Sequence, residues 1–242
     1  MGDRWAERAR TIATALRGVA LFHELPEANL QELTRQVVRR RVARDEEVFA
    51  QGDTGDGLYV VASGLIGIVR QSPEGDELLL ALYEPGESFG ELALIDGAPR
   101  SASAVALEAS TLLVLPRAAF RATLDTHPTA LWRCLEAVVR QLRRLTDVAD
   151  DIALVEVRRR LAHTLLRLAD RGVVETAGHP PEQGRRPVRL TQQHLANMTG
   201  TTRESVNKQL QAFAAEGLIA LEQGRVRVVD RAGLETRGDG VL

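Results

Sequence analysis

Apolar residues recur with different spacings along this chain, and each spacing predicts a different kind of element. Between residues 4 and 17, Trp5, Ile12, Ala13 and Leu16 stand at helical spacing, and a second short helix is expected over residues 27–38. From Val42 to Pro116 the pattern breaks into short runs: EEVFA, GLYVVASGLIGIV, ELLLALY, SASAVA and STLLVLP. Glycines 52, 55, 57, 64, 67, 75, 86, 90 and 97 punctuate this stretch. Many brief strands with glycine turns predict a small antiparallel barrel or sandwich. A long helix is expected from residue 117, broken at His127-Pro128. Beyond the break, Leu131, Leu135, Val138, Leu142, Leu145, Ala149 and Ile152 alternate steps of four and three, flanked by Arg140, Arg143, Arg144, Asp147 and Asp150. That is an a/d heptad seam, which favours a parallel two-stranded dimer. A helix packed on its own barrel is the alternative.

Leu154 and Val155 lead into a second helical run through Leu168. GVVETAGHPPEQGRRP, residues 172–187, is rich in Gly and Pro and predicts an exposed loop. Helices resume at Thr191. The stretch LIALEQGRVRVVD alternates apolar and polar residues around Gln223-Gly224, which predicts a β-hairpin.

Charge changes the picture more than composition does. The net charge of −2 conceals an asymmetry. Residues 158–229 carry twelve basic against six acidic side chains, whereas residues 1–157 carry seventeen basic and twenty-four acidic. A basic C-terminal third on an acidic body suits a nucleic-acid module joined to a regulatory domain. The single cysteine, Cys134, cannot build a disulfide framework or a cysteine metal cluster. The chain lacks an N-terminal secretory pattern and an apolar run of membrane-spanning length, so a cytoplasmic location without a membrane partner is expected.

Residues 191–213 read TQQHLANMTGTTRESVNKQLQAF. Small Ala196, then Gly200, then Val206 match the spacing of a helix-turn-helix, in which the small residue lets two helices cross and glycine permits the turn. Val206, Leu210 and Phe213 mark the inner face of the second helix. Its outer face carries Thr202, Arg203, Glu204, Asn207 and Lys208. Arg203 and Lys208 can donate to guanine, and Glu204 can accept from cytosine. Thr191, Gln193, Thr202 and Ser205 are candidates for phosphate contact. Glu204 has a plainer reading as the far member of a Thr201-x-x-Glu204 capping box, and the two roles can coexist. His194 reads as a surface histidine.

A second constellation lies at residues 89–104, FGELALIDGAPRSASA. Gly90 to Leu94 can form one helical turn, and its free N–H groups, including that of Leu92, suit an anion. Arg100 supplies a bidentate partner for phosphate and Ser101 adds a hydroxyl. Glu91 fits as acceptor for a ribose hydroxyl. A plain ion pair between Glu91 and Arg100 is the alternative.

These residues resemble the cyclic-AMP receptor protein and fumarate-nitrate regulator (Crp/Fnr) superfamily. FGELALIDGAPRSAS is similar to its phosphate-binding cassette, TTRESVNKQL to its recognition helix, and LVEVRRRLAHTLLRLA to the helix beside its hinge. The similarity runs through residues 19–229. It implies an α+β protein with an antiparallel cyclic-nucleotide-binding β-roll, a long dimerisation helix and a C-terminal winged helix-turn-helix. The corresponding segments are 1–127, 128–156 and 157–230, with 231–242 as a tail. The resemblance implies that Gly90, Glu91, Leu92, Arg100 and Ser101 bind the ribose-phosphate of cyclic AMP or another cyclic nucleotide. Of the adjacent pair that contacts the base, Leu145 and Thr146, only Thr146 keeps a hydroxyl. It further implies a homodimer, a palindromic double-stranded DNA operator and contact with RNA polymerase, for which residues 172–187 are the corresponding surface. Lys208 stands where the family more often has Arg, which keeps the charge and loses the fork.

Sister chemistries fit less well. One cysteine cannot hold an iron–sulfur cluster. His23 and His127 lie at the ends of the barrel stretch, and neither reads as a haem ligand. No metal is expected, because a metal-binding barrel enzyme needs a histidine cluster between Val42 and Pro116, and none occurs there. The chain is accordingly expected not to be an enzyme. Two rival functions remain: a regulator of this type that needs no small ligand, and a cyclic-nucleotide-binding subunit that acts on an enzyme.

Overall fold

The computed structural model describes residues 2–71, 77–177, 190–222 and 225–238. The chain divides into two compact units, one of residues 1–76 and 80–144 and one of residues 77–79 and 145–242. In the first, α1 (Gly2–Gly18) and α2 (Glu27–Gln36) precede β1 (Val38–Val42), β2 (Glu47–Phe49), β3 (Gly57–Ser63), β4 (Ile66–Gln71), β5 (Glu77–Tyr83) and β6 (Ser88–Phe89). A single helical turn, α3 (Leu92–Ile95), leads to β7 (Ser103–Ala106) and β8 (Ser110–Pro116). The strands form two four-stranded sheets, ordered β1-β8-β3-β6 and β2-β7-β4-β5. β1 with β8, β8 with β3, β3 with β6, β2 with β7 and β7 with β4 all pair antiparallel.

The unbroken apolar runs GLYVVAS and STLLVLP follow from this arrangement. Side chains alternate across a strand, and here both faces are covered. Leu58, Val60, Leu113 and Leu115 join Leu16, Phe22, Leu30 and Phe120 in one core, formed with α1, α2 and the first helix after the barrel. Tyr59, Val61 and Leu112 point the other way, into the barrel interior with Ile66, Phe89 and Ala104. Each such residue contributes about 1.5–3 kcal/mol by leaving water. The helix expected over residues 27–38 stops two residues early. Val37 is extended at φ −71° and ψ 131°, and Val38 already pairs with Val114. Two adjacent β-branched residues favour that switch.

The break at His127-Pro128 forms as the sequence requires. α4 (Arg117–Thr126) ends where His127 takes φ −127° and ψ 95°, the extended conformation that proline imposes on its predecessor. Pro128 then opens α5 (Pro128–Leu154), a position where its missing N–H costs nothing. Of the heptad seam, Leu131, Leu135 and Leu142 are 52%, 49% and 64% exposed. One stripe of α5 is thus left uncovered by its own barrel.

In the second unit, α6 (Val157–Asp170), β9 (Glu175–Thr176), α7 (Gln192–Thr199) and α8 (Arg203–Ala215) are followed by β10 (Ile219–Glu222), β11 (Arg225–Val228) and α9 (Arg231–Gly238). β10 and β11 pair antiparallel, as the alternating sequence predicts, and Gln223-Gly224 lies outside the described residues. Two expectations are corrected. The stretch read as an exposed loop from residue 172 begins with buried Val173 and Val174 and adds β9 as a third strand, parallel to β11. Residues 178–187 of that stretch lie outside the described residues. Residues 231–238, read as the start of a tail, form α9, and Leu234 is fully buried.

Phe89 is a sensitive point of the barrel. It is fully buried and stacks on Tyr59 at 5.4 Å, with Phe49 and Tyr83 close by. Phe89→Ala is expected to cost about 3–5 kcal/mol, seen in urea titration as an earlier transition of the N-terminal unit alone.

Candidate nucleotide and DNA sites

The stretch read from the sequence as phosphate-binding is assembled around Arg100. Its backbone N–H donates to Asp53 O at 2.8 Å, and its carbonyl accepts from the Gly52 N–H at 2.9 Å. The residue is only 3% exposed and its side chain runs inward. One terminal nitrogen donates to Gly90 O at 2.5 Å; the other donates to Asp56 Oδ1 at 2.8 Å and Gly57 O at 2.9 Å. The guanidinium carbon lies 4.2 Å from the centre of the Phe49 ring and 5.5 Å from that of Tyr59. The ion pair of Arg100 is therefore with Asp56, and the alternative of a Glu91–Arg100 pair is corrected. Asp56, Phe49 and Tyr59 were not singled out from the sequence. Asp56 sits between glycines in a turn 44 residues away, and only the strand pairing brings it near.

Gly90 carries φ +86°, and a Cβ there would come within 2.7 Å of the Arg100 guanidinium. Glycine is required both for the turn and for the close approach. Glu91 caps α3 in backbone position only, without a side-chain cap bond. The helical turn expected over Gly90–Leu94 is thus displaced to Leu92–Ile95. Glu91 is 7% exposed, Leu92 is half-buried and Ser101 is exposed. Gly90, Glu91, Leu92, Arg100 and Ser101 line one small cleft together with Gln141 of α5. Thr146 falls in the other compact unit, on the same helix.

A cyclic nucleotide fits this set on one count. The Arg100 Nε is buried and has no hydrogen-bond partner, and a partnerless buried donor signals a missing acceptor. Burial pushes the Glu91 carboxyl up, against the smaller opposing pull of Arg100 and Arg144. Burial also raises the Cys134 thiol to about 11, which keeps it in the unreactive thiol form at neutral pH.

In the second unit the helix-turn-helix is built from capped termini. The Thr191 hydroxyl accepts from the His194 N–H at 3.1 Å, and His194 Nδ1 accepts from the Thr191 N–H at 3.4 Å. His194, read as a surface residue, therefore closes a capping box. Gly200 ends α7 at φ 57° and ψ 46°, the left-handed conformation glycine adopts freely. The next cap is Thr202, whose hydroxyl accepts from the Ser205 N–H at 3.2 Å. The expected Thr201–Glu204 box is corrected: the register shifts by one, and Glu204 makes no capping bond.

Thr202, Arg203, Glu204, Asn207 and Lys208 are exposed along α8, with Ser205 half-buried; Thr191 and Gln193 are exposed at the start of α7. Besides the capping bonds of Thr191, Thr202 and Ser205, two of them have side-chain partners. Gln193 donates to Asn197 Oδ1 at 2.8 Å, and Asn207 accepts from Gln192 at 3.0 Å. Val206, Leu210 and Phe213 are buried on the opposite face. The C-terminal end of α8 is fixed by Glu216, which pairs with Arg158 of α6 and with Arg237 of α9. The hydrogen bond from Arg158 holds the Glu216 carboxyl below the usual range. Arg160 of α6 donates to Thr199 O at 2.9 Å, tying down the end of α7. Among the described residues, no group of three or more His, Cys, Asp or Glu can hold a metal, and no helix is long and apolar enough to cross a membrane.

The fold and these two sites define a cyclic-nucleotide-binding domain joined to a winged helix-turn-helix. Residues 39–127 match the cyclic nucleotide-binding domain family and residues 159–237 the Crp-like helix-turn-helix domain. The chain is 36% identical to the cyclic AMP receptor protein of Thermus thermophilus, over 91% of this chain and 97% of that one. It is 33% identical to a CRP-like cAMP-activated global transcriptional regulator of Mycobacterium tuberculosis, over 92% and 97%. Among solved structures, a CRP-family transcriptional regulator of Thermus thermophilus superposes with a TM-score of 0.68 at 31% identity, over 84% of this chain and 98% of that one. The chain belongs to the Crp/Fnr superfamily of transcription regulators.

The Glu91 carboxyl gives a pH test of the site. Its folded value lies above the unfolded one, so its contribution to stability is complete below the ordinary carboxylate range and is lost as pH rises through the folded value. Glu91→Gln is therefore expected to leave the apo protein unchanged near pH 4 and to stabilise it at pH 7.5. Each kcal/mol gained should appear as about 2–4 °C in melting temperature. A lower melting temperature at pH 7.5 would count against a costly buried carboxylate.

Proposed function

We propose that this regulator is a homodimer whose binding to a palindromic operator is controlled by a cyclic nucleotide, cyclic AMP, held by Gly90, Glu91, Leu92, Arg100 and Ser101. The observation that carries the reading is the partnerless Nε of Arg100, a buried cationic donor on the cleft that Gly90, Glu91, Leu92 and Ser101 also line. When bound, the nucleotide supplies a phosphate for that donor and a ribose hydroxyl for Glu91. Two relatives whose names specify cyclic AMP support the identity of the effector. Thr146 serves as its base contact.

In this reading the domains divide at 1–127, 128–156 and 157–230. The exposed Leu131–Leu142 stripe forms the dimer seam. α5 begins in one compact unit and ends in the other, so ligand-dependent ordering along it is the route to the DNA-binding unit. Arg203, Glu204, Asn207 and Lys208 read base edges, while Thr191, Gln193, Thr202 and Ser205 meet phosphates. Asn207 must release Gln192 to do so. RNA polymerase is contacted through the segment at 172–187, and the protein works in the cytoplasm without catalysis of its own.

A second reading is favoured by the same cleft. Its free volume is about 30 Å³, roughly the share of one water, and the terminal nitrogens of Arg100 are already bonded. A regulator that binds DNA without a small ligand would have such a small site. DNA binding measured with and without cyclic AMP, cyclic GMP and cyclic di-GMP separates the two. Under the first reading cyclic AMP tightens operator binding and Arg100→Ala abolishes the response with the dimer intact. Equal binding under all conditions establishes the second.

Arg203→Ala is expected to weaken operator binding by about 1–3 kcal/mol and to relax preference at one base pair. An equal loss on random DNA in gel-shift titration would show a phosphate contact instead.

A further inference from the structure

A second cavity lies on the other side of Glu91 from the sugar-phosphate cleft. Its volume is about 230 Å³, several times that of the cleft, and it opens between the barrel and the inward side of α5. Its lining is apolar at Val19, Leu58 and Ala137 and polar at Ser88, Arg140 and Arg144, with the carboxylates of Glu87 and Glu91 also bordering it. The arginines differ in how they are used. Arg133, which also borders the cavity, is bonded to Glu24 and Glu136. Arg140 approaches Glu136 only at 3.8 Å. Arg144 has no ion pair among the described residues; it lies over the Tyr83 ring at 5.9 Å, and its Nε is buried without a hydrogen-bond partner.

An apolar floor beside an uncommitted guanidinium is not explained by packing, because a buried donor left unpaired costs about 1–3 kcal/mol. The cavity is too large to be a packing flaw, and it sits on the side of α5 away from the exposed Leu131–Leu142 stripe, so pairing along that stripe leaves it in place.

We propose that this cavity is a second effector site, which takes a small organic anion. The acid group of the ligand, a carboxylate or a phosphate, bonds Arg144 and Arg140, and its apolar body lies on Val19, Leu58 and Ala137. The site stands apart from the sugar-phosphate cleft, yet both cavities border Glu91, Tyr83 and Gln141.

The test is calorimetric titration of the full-length protein with succinate, glutarate and pyrophosphate, which separates carboxylate from phosphate ligands. Wild type is compared with Arg144→Gln, with Ala137→Leu, which fills the cavity and keeps every charge, and with Arg100→Gln. At least one probe is expected to bind wild type saturably, about 10-fold or more weaker to Arg144→Gln, as loss of a charge-assisted hydrogen bond requires. Binding to Ala137→Leu should be similarly weakened, and binding to Arg100→Gln unchanged. If no probe binds saturably, or if binding survives both Arg144→Gln and Ala137→Leu, the proposal is overturned. Loss in Arg100→Gln with retention in Ala137→Leu would likewise overturn it and assign the anion to the sugar-phosphate cleft. Should Arg100→Gln fail to fold, the comparison of wild type with Ala137→Leu still decides.

Discussion

The guanidinium of an arginine that is 3% exposed inside a protein must be met by acceptors on nearly every side, because a buried charge without partners is far too costly to keep. Arg100 finds Gly90 O, Gly57 O and Asp56, with the faces of Phe49 and Tyr59 as the remaining walls. Much of the barrel is arranged around that requirement. Gly90 has no side chain because one would strike the guanidinium. β3 begins at Gly57, whose carbonyl is one of the acceptors. The aromatic residues are gathered at this end because their ring faces attract a cation where water is excluded. The valence left over at Nε is the part of the arrangement that the protein itself does not satisfy.

The DNA-binding unit solves the opposite problem. There the polar residues of interest stay exposed, and rigidity comes from behind them. Arg158 and Arg237 clamp Glu216 at one end of α8, Thr202 caps the other, and Val206, Leu210 and Phe213 fill the space beneath. Arg158 also lies over the Phe213 ring at 5.0 Å, which joins the clamp to the core. A helix held at both ends presents its outer side chains at fixed spacing, and reading base edges needs that spacing.

What the sequence revealed followed the range of the interaction concerned. The short strands, the helix break at Pro128, the turn at Gly200 and the buried face of α8 depend on neighbours within a few residues, and their patterns are plain. The partner of Arg100 was missed because Asp56 lies in a turn with no local signal, and Glu91 was the nearer acid. The cap of α8 was displaced by one residue because adjacent Thr201 and Thr202 offer the same hydroxyl; the choice between them is made by where Gly200 ends α7. The burial of Val173 and Val174 and the packing of α9 depend on contacts with α6 and β11, so a stretch rich in Gly and Pro read as loop throughout. The heptad stripe was legible as a pattern, and Leu131, Leu135 and Leu142 of it are about half exposed or more while Val138 and Leu145 are half-buried.

Glu91 joins these themes. It is nearly as buried as Arg100 but is not its ion-pair partner, and burial outweighs the attraction of two nearby arginines on its carboxyl. An isolated fold would gain by replacing it. A hydroxyl donated to the ionised form would reverse that balance, because hydrogen bonding to a carboxylate favours its charge. In the proposed function the residue is poorly served in the free protein and well served by a hydroxyl-bearing ligand, and such a difference between two states is the only means by which a ligand can shift an equilibrium. Arg144 bears on the same carboxylate from α5, the one helix that belongs to both compact units. The same helix reaches the cleft through Gln141, which lines it beside Glu91.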